Sequence, residues 1–296
     1  MKPKIGIIGG GAIGLYFAAQ LSVYADVTIF VRRAEQQVKL NTEGIKFGTK
    51  IFSVKSALIQ EQDLREQDLL LVTVKSYQLA ELTSQLETFP KETPLAFLTN
   101  GIGHLKWLEE LSAKTILLGI TSHGVVRTGD REIESSGKGE TKLGIWRGKL
   151  DEQLKNQFTQ FRDFSIQFSE DIFKAIYRKL LINTAVNPLT ALLNVPNGSL
   201  LTNKEFNNFL REVVQEANQV LHVEDGLDIV EEICRNTASN WSSMAMDVLH
   251  KRQTEIDAIV LPVLEMLARE GLSAEKLATL YQLIKGKERE NAKLDD

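Results

Sequence analysis

Short apolar runs alternate with helical segments along the first two-thirds of the chain. Five runs are nearly continuous in hydrophobicity and rich in β-branched residues, as in strands that are covered on both faces. These runs are Ile5–Ile8, Val27–Val31, Leu69–Val74, Leu95–Leu98 and Ile116–Ile120. Helical patterns, among them Ala12–Ala25 and Tyr77–Glu87, lie between them. The alternation predicts an α/β fold with a doubly wound parallel sheet and helices on both of its sides.

Residues 124–146 have a different pattern. They contain short alternating segments separated by glycine-rich turns, which we interpret as antiparallel strands added to one edge of the sheet. The segments are Val125–Val126, Arg131–Glu134 and Thr141–Trp146. Phe164–Phe168 alternates again and is predicted to be the last strand.

After Ser169 the pattern is almost entirely helical, with breaks at Pro196–Gly198, Gly226 and Gly271. We therefore predict a domain boundary near residue 170. Residues 1–170 would form the α/β domain, and residues 171–296 an all-helical domain.

Composition and charge exclude several classes of protein. The net charge of −4 on 296 residues argues against a nucleic-acid-binding surface, which usually needs a basic excess. Cys234 is the only cysteine, so no internal disulfide can form. No apolar run approaches a membrane span, and glycines interrupt the first apolar segment too early for a signal peptide. We expect a cytoplasmic protein without membrane or nucleic-acid partners, and no metal site.

A glycine-rich loop follows the first predicted strand and opens the first predicted helix. Its residues, Gly9, Gly10, Gly11, Ala12, Ile13 and Gly14, have the spacing G-x-G-x-x-G. The first glycine permits the tight turn, the second lets the backbone approach a pyrophosphate, and the third lets helix and strand pack closely. The amides and the positive end of the helix dipole then face the phosphates. This context predicts a Rossmann-type dinucleotide site in residues 1–170.

The end of the second predicted strand indicates which dinucleotide binds. Many NAD-binding domains have an acidic residue there, whereas this strand ends in Arg32 and Arg33, and Glu35 comes later. A guanidinium can pair with a ribose 2′-phosphate, so we predict NADP(H). A solvated arginine turn is the alternative. Lys75 and Asn100 each follow a predicted strand and are further candidates for the cofactor crevice.

A narrow polar stripe follows the predicted helix Ile176–Leu193. Lys179, Asn183 and Asn187 are spaced i, i+4, i+8, and Thr190 shares their face. Because most of the other faces are apolar, the stripe indicates a polar cleft, with a narrow solvent strip as the alternative. A lysine in such a cleft can stabilise the charge that develops on a carbonyl oxygen during hydride addition, and can donate the proton.

Taken together, the sequence resembles the ketopantoate reductase (2-dehydropantoate 2-reductase) family over nearly its whole length. The resemblance rests on motifs spread along the chain. They are Gly9–Gly14, Arg32, Leu69–Lys75, Asn100–Gly103, Arg178–Leu180 with Asn183, Asn187–Ala191, Pro196–Gly198, Asn240–Met244 and Thr254–Asp257.

The resemblance implies NADPH-dependent reduction of 2-dehydropantoate to (R)-pantoate, a step toward pantothenate and coenzyme A. It implies Lys179 as the general acid, with Glu255 as a carboxylate close to it and to the cofactor. It implies substrate contacts from Asn100, Lys179, Asn183, Asn187, Asn197, Asn240 and Ser243. It implies cofactor contacts from the glycine loop, Arg32, Lys75, Asn100, Val125 and Glu255. Periodicity alone does not single out Glu255, which could equally be a solvated glutamate. His123 is expected to be structural.

Two alternatives stay open at this point. The chain could reduce another 2-keto acid, or it could be a non-catalytic NADPH-binding regulator, although a regulator need not retain Lys179, Asn183 and Glu255 together. A homodimer is also compatible with the sequence.

Overall fold

The computed structural model describes residues 2–60, 67–87, 90–159, 164 and 166–293. The chain divides into two compact units. The first comprises residues 1–99 and 107–172, and the second comprises residues 100–106 and 173–296. The predicted boundary near residue 170 would assign residues 100–106 to the first unit, whereas in the structure they group with the second.

The first unit is built on a mostly parallel sheet, which confirms the predicted α/β fold. Within the described residues the sheet has eight strands in the order β12, β11, β8, β7, β6, β1, β2, β5. Only β11 and β8 pair antiparallel among these neighbours. The strands are β1 (Lys4–Ile8), β2 (Asp26–Val31), β5 (Lys55–Leu58), β6 (Leu69–Val72), β7 (Leu95–Phe97), β8 (Ile116–Thr121), β11 (Thr141–Arg147) and β12 (Ile166–Phe168). The predicted last strand started at Phe164, and residue 165 lies outside the described residues.

A second, four-stranded sheet corrects one expectation. It has the order β4, β3, β10, β9 within the described part of the chain. Its strands are β3 (Ile45–Phe47), β4 (Lys50–Phe52), β9 (Gly124–Arg127) and β10 (Glu132–Gly137). The placement of Val125–Val126 and Arg131–Glu134 at the edge of the main sheet was therefore wrong. They pair with each other and, through β10, with β3, a short strand that has no strong apolar pattern of its own.

The helices of the first unit connect and cover the strands. α1 and α2 follow β1 and β2 directly, while the predicted helix Tyr77–Glu87 is in fact two short 3₁₀ turns and one α-helical turn. The helical elements are α1 (Ala12–Leu21), α2 (Ala34–Glu43), the 3₁₀ turns Ser76–Gln78 and Ala80–Leu82, α3 (Thr83–Glu87), α4 (Leu105–Glu110) and α5 (Glu152–Thr159). The first two residues of α4 belong to the second unit.

After β12 the described chain is entirely helical, as predicted. The helices are α6 (Ile172–Leu193), α7 (Ser199–Thr202), α8 (Lys204–Leu221), α9 (Gly226–Asn236), α10 (Ser243–Leu249), α11 (Ile256–Ile259), α12 (Leu261–Arg269) and α13 (Glu275–Lys293). α6 is buried along most of its C-terminal half and forms part of the unit's apolar core with α8, α9, α12 and α13. No helix in the described part of the chain combines the length and hydrophobicity that a membrane span requires.

Candidate active site

The glycine loop has the geometry of a phosphate cradle. Gly9 has φ +117°, a conformation that side chains disfavour, and its amide donates to the Phe30 carbonyl at 3.0 Å. A Cβ on Gly14 would lie 1.9 Å from the Gly9 carbonyl oxygen, so only glycine lets helix α1 approach the loop. A Cβ on Gly11, by contrast, would meet no atom within 4 Å. The open space beside Gly11, at the N-terminus of α1, fits an anionic group.

Two side chains that the sequence did not single out hold the Gly10 carbonyl of this loop. Gln36 Nε2 donates to the Gly10 carbonyl at 2.9 Å and to the Asp130 carbonyl at 2.7 Å, and Arg127 Nη1 donates to the Gly10 carbonyl at 3.1 Å. Gln36 is buried, whereas Arg127 is exposed. The loop is therefore braced against the turn between β9 and β10.

Arg32 and Arg33 have different surroundings. Arg33 and Lys39 both pair with Asp130. Their hydrogen bonds lower the pKa of Asp130 to about 2, and the bond from Lys39 has the larger effect. Arg32 is exposed and pairs with the exposed carboxylate of Glu81 at 2.5 Å. Such a solvent-exposed ion pair is weak, so Arg32 can exchange Glu81 for another anion.

The other two residues proposed for the cofactor in this unit have ordinary local positions. Lys75 precedes the 3₁₀ turn Ser76–Gln78, and its amide donates to Gln78 Oε1 at 3.2 Å. Val125 lies in β9 opposite Ser135 and packs, partly buried, against the apolar core.

The second unit brings three of the predicted site residues into one hydrogen-bonded chain. Lys179 Nζ donates to Asn100 Oδ1 at 2.9 Å, and Asn100 Nδ2 donates to Glu255 Oε2 at 2.9 Å. The ammonium can only donate and the carboxylate can only accept, so the two charges fix the orientation of the Asn100 amide. Glu255 is only 4% exposed, which excludes the solvated-glutamate interpretation.

A tight backbone contact holds Asn100 in this chain. Gly101 has φ +75°, and a Cβ at this position would lie 2.0 Å from the Ala258 carbonyl oxygen. The amides of Ile102 and Gly103 donate to the same oxygen at 3.0 and 3.3 Å. The loop Asn100–Gly103 is thus fastened to the first turn of α11, next to Glu255.

Burial changes the pKa of two groups close to the Lys179–Asn100–Glu255 hydrogen bonds. It lowers the pKa of Lys179 to about 8, and the negative charge of Glu255 opposes that shift. It also lowers the pKa of the buried His104 to about 4, again opposed by Glu255. His104 therefore stays neutral near pH 7, whereas Lys179 supplies a positive charge opposite Glu255. No sequence pattern singled out His104, because an isolated histidine has no diagnostic spacing.

The polar stripe on α6 divides into a part near Lys179 and a part distant from it. At 1.5 Å rise per residue, Asn183 lies about 6 Å and Asn187 about 12 Å from Lys179 along the helix axis. Asn187 is buried, and Thr190 Oγ1, fully buried, donates to Ser242 Oγ at 2.7 Å. Ser242 in turn caps α10 by accepting from the Ala245 amide at 3.1 Å. Thr190 thus joins α6 to α10 and serves the fold.

Two further predicted substrate residues are adjacent. The Asn197 amide donates to the Asn240 carbonyl at 2.9 Å, and Asn197 Nδ2 donates to Thr237 Oγ1 at 2.9 Å. The buried Asn197 Oδ1 receives no hydrogen bond from any residue that the structure describes. A buried acceptor of this kind fits a ligand hydroxyl. Ser243 is exposed at the first position of α10.

His123, for which the sequence predicted only a structural role, belongs to an aromatic cluster of the first unit. Its Nδ1 accepts from the Gly139 amide at 3.0 Å and lies 3.2 Å from Tyr16 Oη, and its ring stacks on Phe164. Because the amide can only donate, Nδ1 carries no proton. Burial and Lys138 lower the pKa of His123.

Comparisons with known proteins agree over both units. The family model "Ketopantoate reductase PanE/ApbA" matches residues 5–148, and "Ketopantoate reductase PanE/ApbA C terminal" matches residues 171–288. The chain is 44% identical to 2-dehydropantoate 2-reductase of Listeria innocua serovar 6a, covering 97% of each chain. It is 38% identical to that of Bacillus subtilis, covering 98% of this chain and 99% of the other.

Solved structures show the same fold. The probable 2-dehydropantoate 2-reductase panE from Bacillus subtilis matches with a TM-score of 0.84 at 38% identity, over 96% of this chain and 99% of the other. D-mandelate dehydrogenase with NADH and anilino(oxo)acetate matches with a TM-score of 0.87 over 98% of this chain and 99% of the other, but at 23% identity that similarity concerns the fold alone.

Proposed function

Because the chain belongs to the ketopantoate reductase PanE/ApbA family, we propose that it reduces 2-dehydropantoate to (R)-pantoate with NADPH, in pantothenate biosynthesis. The relatives at 38–44% identity are named 2-dehydropantoate 2-reductases and match this chain nearly end to end. Assembly as a homodimer stays a prediction.

The observation that supports the proposal most strongly is the chain from Lys179 through Asn100 to Glu255. In this chain a buried carboxylate and a neutral amide orient one ammonium group and help to keep it charged. A reductase needs such a group, because hydride addition to a keto carbon leaves negative charge on the oxygen. A regulator that only bound NADPH would need no partly buried lysine with a lowered pKa.

We assign the proton transfer to Lys179. Its ammonium donates a hydrogen bond to the keto oxygen, stabilises the developing alkoxide and then transfers one proton to it. A pKa of about 8 suits this role, because the amine is mostly protonated at pH 7 and yet is a stronger acid than an exposed lysine. Asn100 holds the ammonium in position, and Glu255 favours its charged form.

The first unit supplies the residues that fit a nicotinamide dinucleotide. When bound, the reduced cofactor supplies the hydride. The open space at Gly11 and the start of α1 accommodate its pyrophosphate, and Gln36 and Arg127 keep the loop in that shape. Arg32 would exchange its exposed pair with Glu81 for the 2′-phosphate, which favours NADPH over NADH.

The polar groups of the second unit fit a small hydroxylated acid. Asn183, about 6 Å from Lys179 along α6, is close enough to bind the same small molecule. Asn197 Oδ1, which no described residue pairs with, would accept from the substrate hydroxyl. The Asn197 amide contacts the Asn240 carbonyl, and Ser243 follows Asn240 closely in sequence at the start of α10. A site built to pair with a hydroxyl should discriminate strongly against an analogue that lacks it.

The test is NADPH oxidation with a panel of 2-keto acids. The sharpest comparison is with 3,3-dimethyl-2-oxobutanoate, which differs from 2-dehydropantoate only in lacking the hydroxyl. We expect kcat/KM to favour 2-dehydropantoate by at least about 100-fold. Comparable rates with both acids would indicate a reductase of another 2-keto acid. NADPH binding without turnover of any acid would indicate the regulator.

A further inference from the structure

The C-terminal helix α13 contacts the short segment that carries Glu255. This segment, Thr254–Asp257, precedes and begins α11, and Glu255 itself lies outside the helix with φ −99° and ψ 26°. Glu255 is the N-cap of α11, and its carbonyl accepts from the Ala258 and Ile259 amides, each at 3.0 Å. The placement of its side chain also depends on the residues that hold its neighbours.

Glu288 of α13 binds the residue immediately before Glu255. Its Oε1 accepts from the Thr254 amide at 2.8 Å and from Thr254 Oγ1 at 2.7 Å. Thr254 Oγ1 also accepts from the Ile256 amide at 3.2 Å, so the same hydroxyl closes the start of α11. Thr254 is almost completely buried, which makes these hydrogen bonds costly to lose.

The residue two positions after Glu255 is held by the same helix. Asp257 accepts from Tyr281 Oη at 2.7 Å and from Lys285 Nζ at 2.9 Å. Lys285 also pairs with Glu288 Oε2 at 2.9 Å. α13 thus holds residues on both sides of Glu255: Glu288 Oε1 accepts from Thr254, and Glu288 Oε2 pairs with Lys285, which also binds the Asp257 carboxylate.

We propose that Glu288 is a positioning residue for the reaction, which holds Glu255 against Asn100 through Thr254. The inference rests on the proposed function, because it assumes that Lys179 is the proton donor. Loss of the Glu288–Thr254 hydrogen bonds would let Glu255 withdraw from Asn100 and so weaken its effect on Lys179. Among the described residues, Lys179 and His104 are titratable groups that face Glu255, and Lys285 and Tyr281 are titratable groups that face Glu288.

The contact with Thr254 requires a hydrogen-bond acceptor at position 288, whereas the charge of Glu288 acts mainly on Lys285. In Glu288→Gln the amide oxygen can still accept from Thr254, but its NH₂ group must then face the Lys285 ammonium, and two donors repel. Lys285 retains Asp257 as a partner. Glu288→Gln should therefore retain most of the positioning, whereas Glu288→Ala removes it.

The experiment compares wild type, Glu288→Ala and Glu288→Gln in two assays. The first is the pH–rate profile with 2-dehydropantoate. The second is competitive labelling of Lys179 with acetic anhydride across pH, read by mass spectrometry, which reports the lysine's titration without any substrate. A downward shift of about 1 in the pKa of Lys179 would lower kcat about fivefold at pH 8 and hardly at pH 6. We expect this pattern for Glu288→Ala and most of the wild-type behaviour for Glu288→Gln.

Glu212→Ala is the matched control. It breaks another ion pair of α13, between Glu212 and Lys276 at 3.6 Å, that does not involve the Thr254–Asp257 segment. An equal shift in this control would mean that α13 acts only through stability. Unshifted labelling in Glu288→Ala would overturn the proposal, as would a loss of kcat that is the same at all pH values.

A substitute variant covers the case in which Glu288→Ala fails to fold, and the labelling assay separates the positioning role from the proposed function. If Glu288→Ala does not fold, Thr254→Val serves instead, since it removes the hydroxyl bond to Glu288 but keeps the amide bond, and a smaller shift in the same direction is expected. If wild type does not turn over 2-dehydropantoate but the labelling shift occurs, the positioning stands and the proposed function fails.

Discussion

Replacing Glu255 with glutamine removes one buried negative charge and keeps the shape of the side chain. Two hydrogen bonds of 2.9 Å through the Asn100 amide place the Glu255 carboxylate near Lys179. At a separation of roughly 8 Å and an effective dielectric constant of about 20, their attraction is about 2 kcal/mol, or about 1.5 in pKa. The pKa of Lys179, about 8 in wild type, should therefore fall toward roughly 6.5.

The consequence for activity depends on pH. Because Lys179 must be protonated to act, its active fraction at pH 7 falls from about 90% to about 25% in Glu255→Gln, whereas at pH 5.5 it stays near 90%. The assay is a pH–rate profile of kcat, with the rate of hydride transfer measured using deuterated NADPH. We expect the alkaline limb to move to lower pH by about 1.5. An unchanged limb, or a loss of activity that is equal at pH 5.5 and pH 7, would refute the electrostatic role of Glu255.

Three further predictions concern the backbone, the cofactor and stability in acid. Gly101→Ala should lower kcat and destabilise the protein by about 2–4 kcal/mol in denaturant titrations, because its Cβ would lie 2.0 Å from a carbonyl oxygen. Gly271→Ala, with a similar φ of +68° but open space, should cost only about 1 kcal/mol and no activity. Arg32→Ala should weaken NADPH binding by about 1.5 kcal/mol and NADH binding much less; equal losses in calorimetry would exclude a 2′-phosphate contact. Burial lowers the pKa of His123, so its contribution to stability is present above the unfolded value of about 6.5 and is lost as pH falls below it. His123→Asn should flatten the fall of Tm between pH 7 and pH 5, and the exposed His250→Asn should not; identical curves for both would contradict this.

The parts of the fold that the sequence predicts well are those with strong local patterns. The runs around β1 and β2 are continuous and apolar because both faces of the sheet are covered, and the glycine spacing between β1 and α1 is imposed by close backbone contacts. β9 and β10 were found as strands but placed in the wrong sheet. Their partner β3 is three residues long and only partly apolar, so nothing local identifies the pairing.

In the candidate site, too, the sequence singles out only the residues that belong to a strong local pattern. Lys179 lies on a long helix, where periodicity distinguishes a polar stripe from an apolar background. Glu255 lies just outside a four-residue helix, and its burial results from tertiary packing that no spacing encodes. Gln36 and His104 likewise act through contacts with residues distant in sequence. The resemblance to a family identified Glu255, but neither of the other two.

The assignment of Lys179 as proton donor is best tested by the turnover of Lys179→Ala under conditions where hydride transfer limits the rate. We expect kcat to fall at least about 100-fold, because positioned acid catalysis typically contributes that much, while the Kd for NADPH stays within about twofold of wild type. If the variant keeps more than about a tenth of the wild-type kcat, Lys179 is not the general acid.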